Sequence, residues 1–457
     1  MSERMFSRKD LQLLILPLIM EQFLAMSIGA CDTIMVSSIG EAGVSGVSLI
    51  DQLAQLFVQL FAAFATGGAV VSSQYLGHKD DEEARSAARQ LLNISVLAGL
   101  LIIAVFLPFR RFVLKAIFGG ASEEIMANAL VYFVWILLSF PFLAVYSSCA
   151  ALFRSMGNSK VSLKVSLMMN LTNIAGNAVL IYGVKAGVAG AGIATLLSRI
   201  VAAVVMLYLL SSSQAKKSGR IYLENIGKKE FRFDMIKRIL KVAVPSGIEN
   251  SVFHIGKTLV YSFMSGFGIT AIAANAISNT VCSFSNIPGN AIGLSSVTII
   301  GQCIGAGEKE QAKSYGKKLI LLSSGGMFLT GILIFTLCPW ITRAFNLTEQ
   351  ARLLSVNVIR ICMVANIFFW SMSFTMPNIL RGAGDTKYTM IVSNITMWLF
   401  RVFGSFLISK YLLRTHPDNP SLALYGVWVG MFIDWIFRGL CFFIRFCGKK
   451  WLEKKVI

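Results

Sequence analysis

Phe153-Arg154-Ser155-Met156-Gly157-Asn158-Ser159-Lys160 returns 227 residues later as Leu380-Arg381-Gly382-Ala383-Gly384-Asp385-Thr386-Lys387. Each copy reads as a helix end, a glycine that stops it, an Asn or Asp that caps the next helix, and the first turn of that helix. The agreement extends upstream without a gap. At a shift of 228 residues Pro17 lies on Pro245, Glu21 on Glu249, Ser37 on Ser265, Gly40 on Gly268, Gln74 on Gln302, Gly77 on Gly305, Glu82 on Glu310 and Ala84 on Ala312. A register this long marks a tandem repeat.

Between these turns the chain is apolar. Of its 457 residues 55% are hydrophobic and only 14% charged, with a mean hydropathy of +0.68, more than a soluble core can bury. Twelve runs are long enough to cross a bilayer: 11–36, 44–74, 88–109, 125–150, 160–183, 189–210, 239–265, 272–303, 317–340, 352–378, 388–411 and 423–446. None alternates with a period of two, which excludes a transmembrane barrel. The expected fold is an all-α polytopic membrane protein with twelve transmembrane helices in two six-helix bundles. These are residues 1–210 and 239–457, joined by a basic cytoplasmic linker, 211–238. Because six is even, both bundles share one orientation and are related by a pseudo-two-fold axis along the membrane normal; inverted repeats are excluded.

A formal charge of +19 could suggest a nucleic-acid partner, but its distribution argues otherwise. Flanking Lys and Arg divide 29 to 8 between the two sides, which assigns both termini to the cytoplasm. The excess is topology and attraction to anionic lipid headgroups, and no nucleic-acid partner is expected. The first run is too long for a cleaved leader and carries Glu21 and Asp32. The chain has no phosphate loop, and its three histidines and eight scattered cysteines lack metal-ligand spacing, so neither an enzyme nor a metal site is expected.

Ionisable residues inside the runs are therefore the functional candidates. Asp434 and Arg438 are four apart on one helix and read as an internal ion pair. Asp32 has no cation nearby in sequence. Topology collects Asn173 and Asn177, one turn apart, and Thr195 at a similar depth in the same half. Asp51, Gln55, Glu249, His254 and Lys257 are candidates for a substrate cavity wall. A carboxylate among apolar walls can take up and release a proton or a cation, and its two forms prefer different surroundings, which couples ion entry to the direction in which a cavity opens.

Several of these stretches resemble the multidrug and toxic compound extrusion family. They are the Pro17 to Asp32 interval, with Asp32-Thr33 followed by Gly40 and Ala42; Gln74-Tyr75-Leu76-Gly77; the 153–160 turn; Gly187-Val188-Ala189-Gly190-Ala191-Gly192-Ile193-Ala194-Thr195; Pro245-Ser246-Gly247-Ile248-Glu249; and Leu380 to Lys387. The likeness covers nearly the whole chain and is nearest the DNA-damage-inducible F branch. It implies export of small organic cations or amphipathic drugs in exchange for H+ or Na+, without a further cofactor, by a monomer in a bacterial-type plasma membrane. In that branch the ion-coupling residues match Asp32, Asn173, Asn177 and Thr195, and the hinge of the first helix matches Pro17. Relatives that carry aspartate at position 177 differ from this chain, and the amide here favours protons over sodium, a hard cation that prefers charged oxygen ligands. The alternative is a flippase for lipid-linked saccharides or other lipid precursors. Lys257, Arg360 and Arg401 decide between them: on a cavity wall they favour an anionic lipid precursor, and paired with acids they favour drug export.

Overall fold

Each repeated turn closes a helix in the same way. In the computed structural model, helix α5 (Glu123–Ser155) ends where the backbone N–H of Asn158 bonds the Phe153 carbonyl at 2.9 Å and that of Gly157 bonds Arg154 at 2.8 Å. The second copy repeats this, Asp385 to Leu380 at 2.9 Å and Gly384 to Arg381 at 2.8 Å. Gly157 and Gly384 have φ of +81° and +94°, a conformation that glycine adopts without a Cβ clash, and the crossed bonds satisfy the last carbonyls of each helix. The expected side-chain caps do not form. Asn158 and Asp385 occupy the cap positions but donate and accept no capping bond; Asp385 instead holds Arg445 through Nε at 2.7 Å.

The structure describes residues 4–212, 220–223, 231–345, 347–454 and 456–457, and for 28 and 30–33 the backbone alone. No strand occurs among them. Among the described residues, eleven helical segments are long and apolar enough to cross a membrane. The remaining run lies in the 32-residue helix Phe233–Met264, about 48 Å long by its rise, whose apolar length is interrupted by Lys241, Glu249, His254 and Lys257. The run 272–303 is two helices, Ile269–Ser285 and Ile287–Gly305, because Pro288 opens the second.

Two compact units divide the chain, Phe6–Gly247 and Ile248–Val456, with the division just after Pro245. In the amino-terminal unit α1 (Arg8–Ser37) packs on α6 (Ser159–Asn177), and α2 (Glu41–Gly77), α3 (Asp81–Phe106), the short α4 (Arg110–Phe118) and α7 (Gly187–Ser211) pack around α5. In the carboxy-terminal unit Ala423–Cys447 lies against Asn366–Thr375 and Ser405–Thr415, and Ile269–Ser285 lies against Glu349–Ala365.

Much of the basic segment after α7, residues 213–219 and 224–230, lies outside the described residues. The described part is not simply a lipid-facing charge. Arg220 pairs with Asp81 at 2.7 Å, Arg232 with Glu83 at 2.6 Å, and Arg85 donates to the Tyr222 hydroxyl at 2.5 Å. The acidic first turn of α3 therefore anchors the segment. Exposed pairs of this kind each contribute about 0–1 kcal/mol, so their effect is to fix a path rather than to stabilise the bundle.

Three stretches widen from α to π geometry: Ala178–Gly183, Asn366–Thr375 and Met397–Gly404. A wide turn rotates the residues after it relative to the helix before, and such turns gather at functional sites. All three adjoin the sites described next.

Candidate functional site

Repeat-equivalent prolines, Pro17 and Pro245, sit inside their helices, where each leaves a carbonyl without its usual donor. The glutamate one turn later is buried in both halves, Glu21 at 8% exposure and Glu249 at 7%. Neither hangs in water. Ser162 donates to Glu21 Oε2 at 2.7 Å, and Arg381 pairs with Glu249 Oε1 at 2.7 Å. Glu249, read from sequence as a candidate cavity residue, is thus held in an ion pair that ties its proline-containing helix to Met376–Gly382.

In the amino-terminal unit Asn173, Asn177 and Thr195 form one hydrogen-bonded chain. Asn177 Nδ2 donates to Asn173 Oδ1 at 3.4 Å, Asn173 Nδ2 to Thr195 Oγ1 at 3.3 Å, and Thr195 Oγ1 to the Ala191 carbonyl at 3.0 Å. Asn177 is fully buried, and the first wide turn begins at the next residue. Gly176 permits the approach, since a Cβ there would lie 2.9 Å from that of Ala194. Asp32 lies on α1, which packs on α6; its side chain lies outside the described residues. Asp51 and Gln55 are exposed on α2, and Tyr132 donates to Asp51 Oδ1 at 3.3 Å. Arg199 donates to Ser139 Oγ at 2.6 Å.

Replacing Thr195 by valine removes the acceptor for Asn173 while keeping shape. A hydrogen bond of this kind between membrane helices is worth about 0.6 kcal/mol on average, so thermal unfolding should barely move. If the chain positions an ion, transport should nevertheless fall severalfold, and Thr195→Ser should restore it. Equal transport by all three proteins would detach the chain from function.

The carboxy-terminal unit carries a half-open cavity of about 220 Å³. Its aromatic wall is Phe253, Trp370, Phe374, Trp428 and Trp435. Trp370 stacks on Phe374 with ring centroids 5.0 Å apart, and Phe374 meets Trp435 edge-on at 5.8 Å. Trp370 packs directly against Gly289, where a Cβ would come within 2.0 Å of the ring. Asn279, Asn286 and Asn290 supply amides, and Lys257 and Arg401 supply charge. Asn279 donates to Asn275 Oδ1 at 2.9 Å, which also accepts from Trp428 Nε1 at 3.2 Å.

Of the second-half cations weighed in sequence, Lys257 and Arg401 line this cavity and Arg360 does not; its guanidinium lies 5.3 Å over the Phe335 ring. His254 and Glu249 are not among the lining residues. Asp434 and Arg438 form the internal pair expected from their spacing, with Arg438 Nη2 2.9 Å from both carboxylate oxygens. The asparagines and tryptophans of this wall were not singled out in sequence. A signal was present: Asn275 and Asn279, then Asn286 and Asn290, are pairs four residues apart in an otherwise apolar run. Among the described residues no cluster of His, Cys, Asp and Glu could hold a metal.

A profile of the MatE family matches residues 17–179 and 245–407, one copy in each half and 228 residues apart. The chain belongs to the MatE family. It is 28% identical over 458 residues to the probable multidrug resistance protein NorM of Thermotoga maritima, covering 98% of this chain and 94% of that one. It is 27% identical to the transporter YisQ of Bacillus subtilis over 96% of this chain and 94% of that one. Among solved structures, an outward-facing multidrug resistance MATE transporter of the MOP superfamily superimposes with a TM-score of 0.85 at 19% identity, covering 98% and 97% of the two chains. A MOP superfamily transporter from Pyrococcus furiosus, described by the reverse polarity of its binding pocket, gives 0.81 at 18%, covering 98% and 97%. MatE family members are membrane transporters and not enzymes, and this chain has their all-helical polytopic fold.

Proposed function

We propose that this MatE family transporter is a secondary active exporter of amphipathic organic compounds, working by alternating access and driven by protons. Similarity to proteins named for multidrug resistance supports the substrate class. The observation that carries the coupling reading is the Asn177–Asn173–Thr195 chain, in which position 177 is an amide and not a carboxylate. Neutral oxygens suit a proton-exchanging Asp32 better than a bound sodium ion, which favours charged ligands. The transporter acts as a monomer in a bacterial-type plasma membrane with both termini in the cytoplasm, the orientation that its flanking cations favour.

Proteoliposomes with an imposed proton or sodium gradient test this reading with a panel of cationic dyes. Dye movement driven by the proton gradient alone is the expected result. Movement under sodium alone would overturn the coupling, and failure of every dye would overturn the substrate class.

A second reading, a flippase for an anionic lipid precursor, draws on one observation: Lys257 and Arg401 stand on a cavity wall that no carboxylate lines among the described residues.

A further inference from the structure

The interior charges of the carboxy-terminal unit do not balance. Glu249 is consumed by Arg381 and Asp434 by Arg438, each at salt-bridge distance. Lys257 and Arg401 remain. Among the described residues neither forms an ion pair, and no carboxylate lines the cavity that both face. The close contacts of Arg401 are soft, the Met431 sulfur at 3.0 Å and the Phe253 ring at 5.0 Å, and the Asp434 carboxylate, chelated by Arg438, acts on it only from beyond ion-pair distance. Lys257 lies 5.8 Å over the Tyr261 ring. The two cations also repel one another. Two cations on an aromatic wall, neither in an ion pair among the described residues, are costly and call for a counter-anion.

The fold directs them there. Arg401 is delivered by the wide turn Met397–Gly404, and Trp370 by the wide turn Asn366–Thr375. In the 228-residue register Asp51 falls on Asn279, so the half that gained cations has an amide where its twin has an acid.

We propose that this cavity binds the anionic group of an amphipathic ligand, a sulfonate, carboxylate or phosphate on an apolar body. The negative group sits between Lys257 and Arg401, while Trp370 and Trp428 hold the body. A cationic compound is repelled from the same cavity. The proposal rests on the observation behind the second reading and broadens its ligand class from a lipid precursor to anionic amphiphiles, and its binding test does not depend on transport.

The experiment measures binding to the purified full chain in neutral detergent by calorimetry and tryptophan fluorescence. The probes are naphthalene-2-sulfonate, its neutral analogue 2-naphthalenemethanol, inorganic sulfate, and dihexanoylphosphatidate as the lipid arm. An anionic amphiphile should bind at least about tenfold more tightly than the neutral analogue or sulfate, each tenfold being one good charge-assisted contact. Lys257→Gln and Arg401→Gln should each remove about that factor, and Lys257→Arg should keep it. The tighter of the sulfonate and the phosphatidate identifies a soluble or a lipid source. Equal binding of the sulfonate, the alcohol and sulfate would overturn the proposal. So would unchanged affinity in Lys257→Gln, and so would no binding by either anion. Should Arg401→Gln fail to fold, the Lys257 pair alone decides. Dye transport in the same preparation separates the outcomes, since anion binding without dye export would sink the exporter reading and leave this site standing.

Discussion

Asp32→Asn is expected to cut proton-driven export sharply while substrate binding persists. The asparagine keeps the size and much of the hydrogen bonding of the carboxyl group but cannot exchange a proton, so the two states of the transporter lose the difference that an ion gradient acts upon. Coupling free energies of about 1–3 kcal/mol correspond to roughly 5–150-fold effects, and the loss of gradient-driven flux should fall in that range. The measurement is dye efflux from proteoliposomes at several imposed pH differences. A variant whose flux still rose with the gradient as in the parent would show that the proton travels elsewhere. Pro17 gives a companion reading: a hinge needs its free carbonyl, so Pro17→Ala should slow turnover and leave the affinity of Asp32 for protons in place.

The largest effect on stability is expected from Asp434→Ala. Asp434 is fully buried and Arg438 is 3% exposed, with both carboxylate oxygens engaged at 2.9 Å. Removing the acid strands Arg438 close to Arg401, whose positive charge acts on the same carboxylate. Breaking one side of a buried pair costs about 3–5 kcal/mol. Replacing both partners, Asp434→Leu with Arg438→Met, should recover most of the loss, because the desolvation cost disappears with the charges. Thermal unfolding can be followed with a thiol-reactive fluorophore, since Cys149, Cys282, Cys303, Cys338 and Cys362 are free and buried. A single variant that melted with the parent would mean that the pair contributes nothing net.

Much of the architecture was legible because it is written in long-range statistics. Apolar length marks a crossing whatever its neighbours do, and the repeat register alone predicted turns that the two halves close with the same hydrogen bonds. The details that escaped depend on geometry that hydropathy does not encode. A hydrophobic run reads the same with π or α turns, so nothing in Met397–Gly404 announced that Arg401 would turn inward. The run 272–303 hid a break, although Pro288 was visible in it. Charged residues were the least legible. Glu249 and Lys257 share a helix and looked alike as candidates, yet one meets an arginine from a distant segment and the other does not. Partner choice is a tertiary fact. The spacing rule sufficed only for Asp434 and Arg438, where both partners sit on one helix face.

The shared turns at 153–160 and 380–387 bear on how such a molecule can change over descent. They set where the fifth crossing of each half begins, using backbone bonds and a handful of residues, and they place no demand on what the middle of that crossing carries. Selection could therefore keep the joints common to both copies while the interior of one drifted toward acids and amides and that of the other toward cations and indoles.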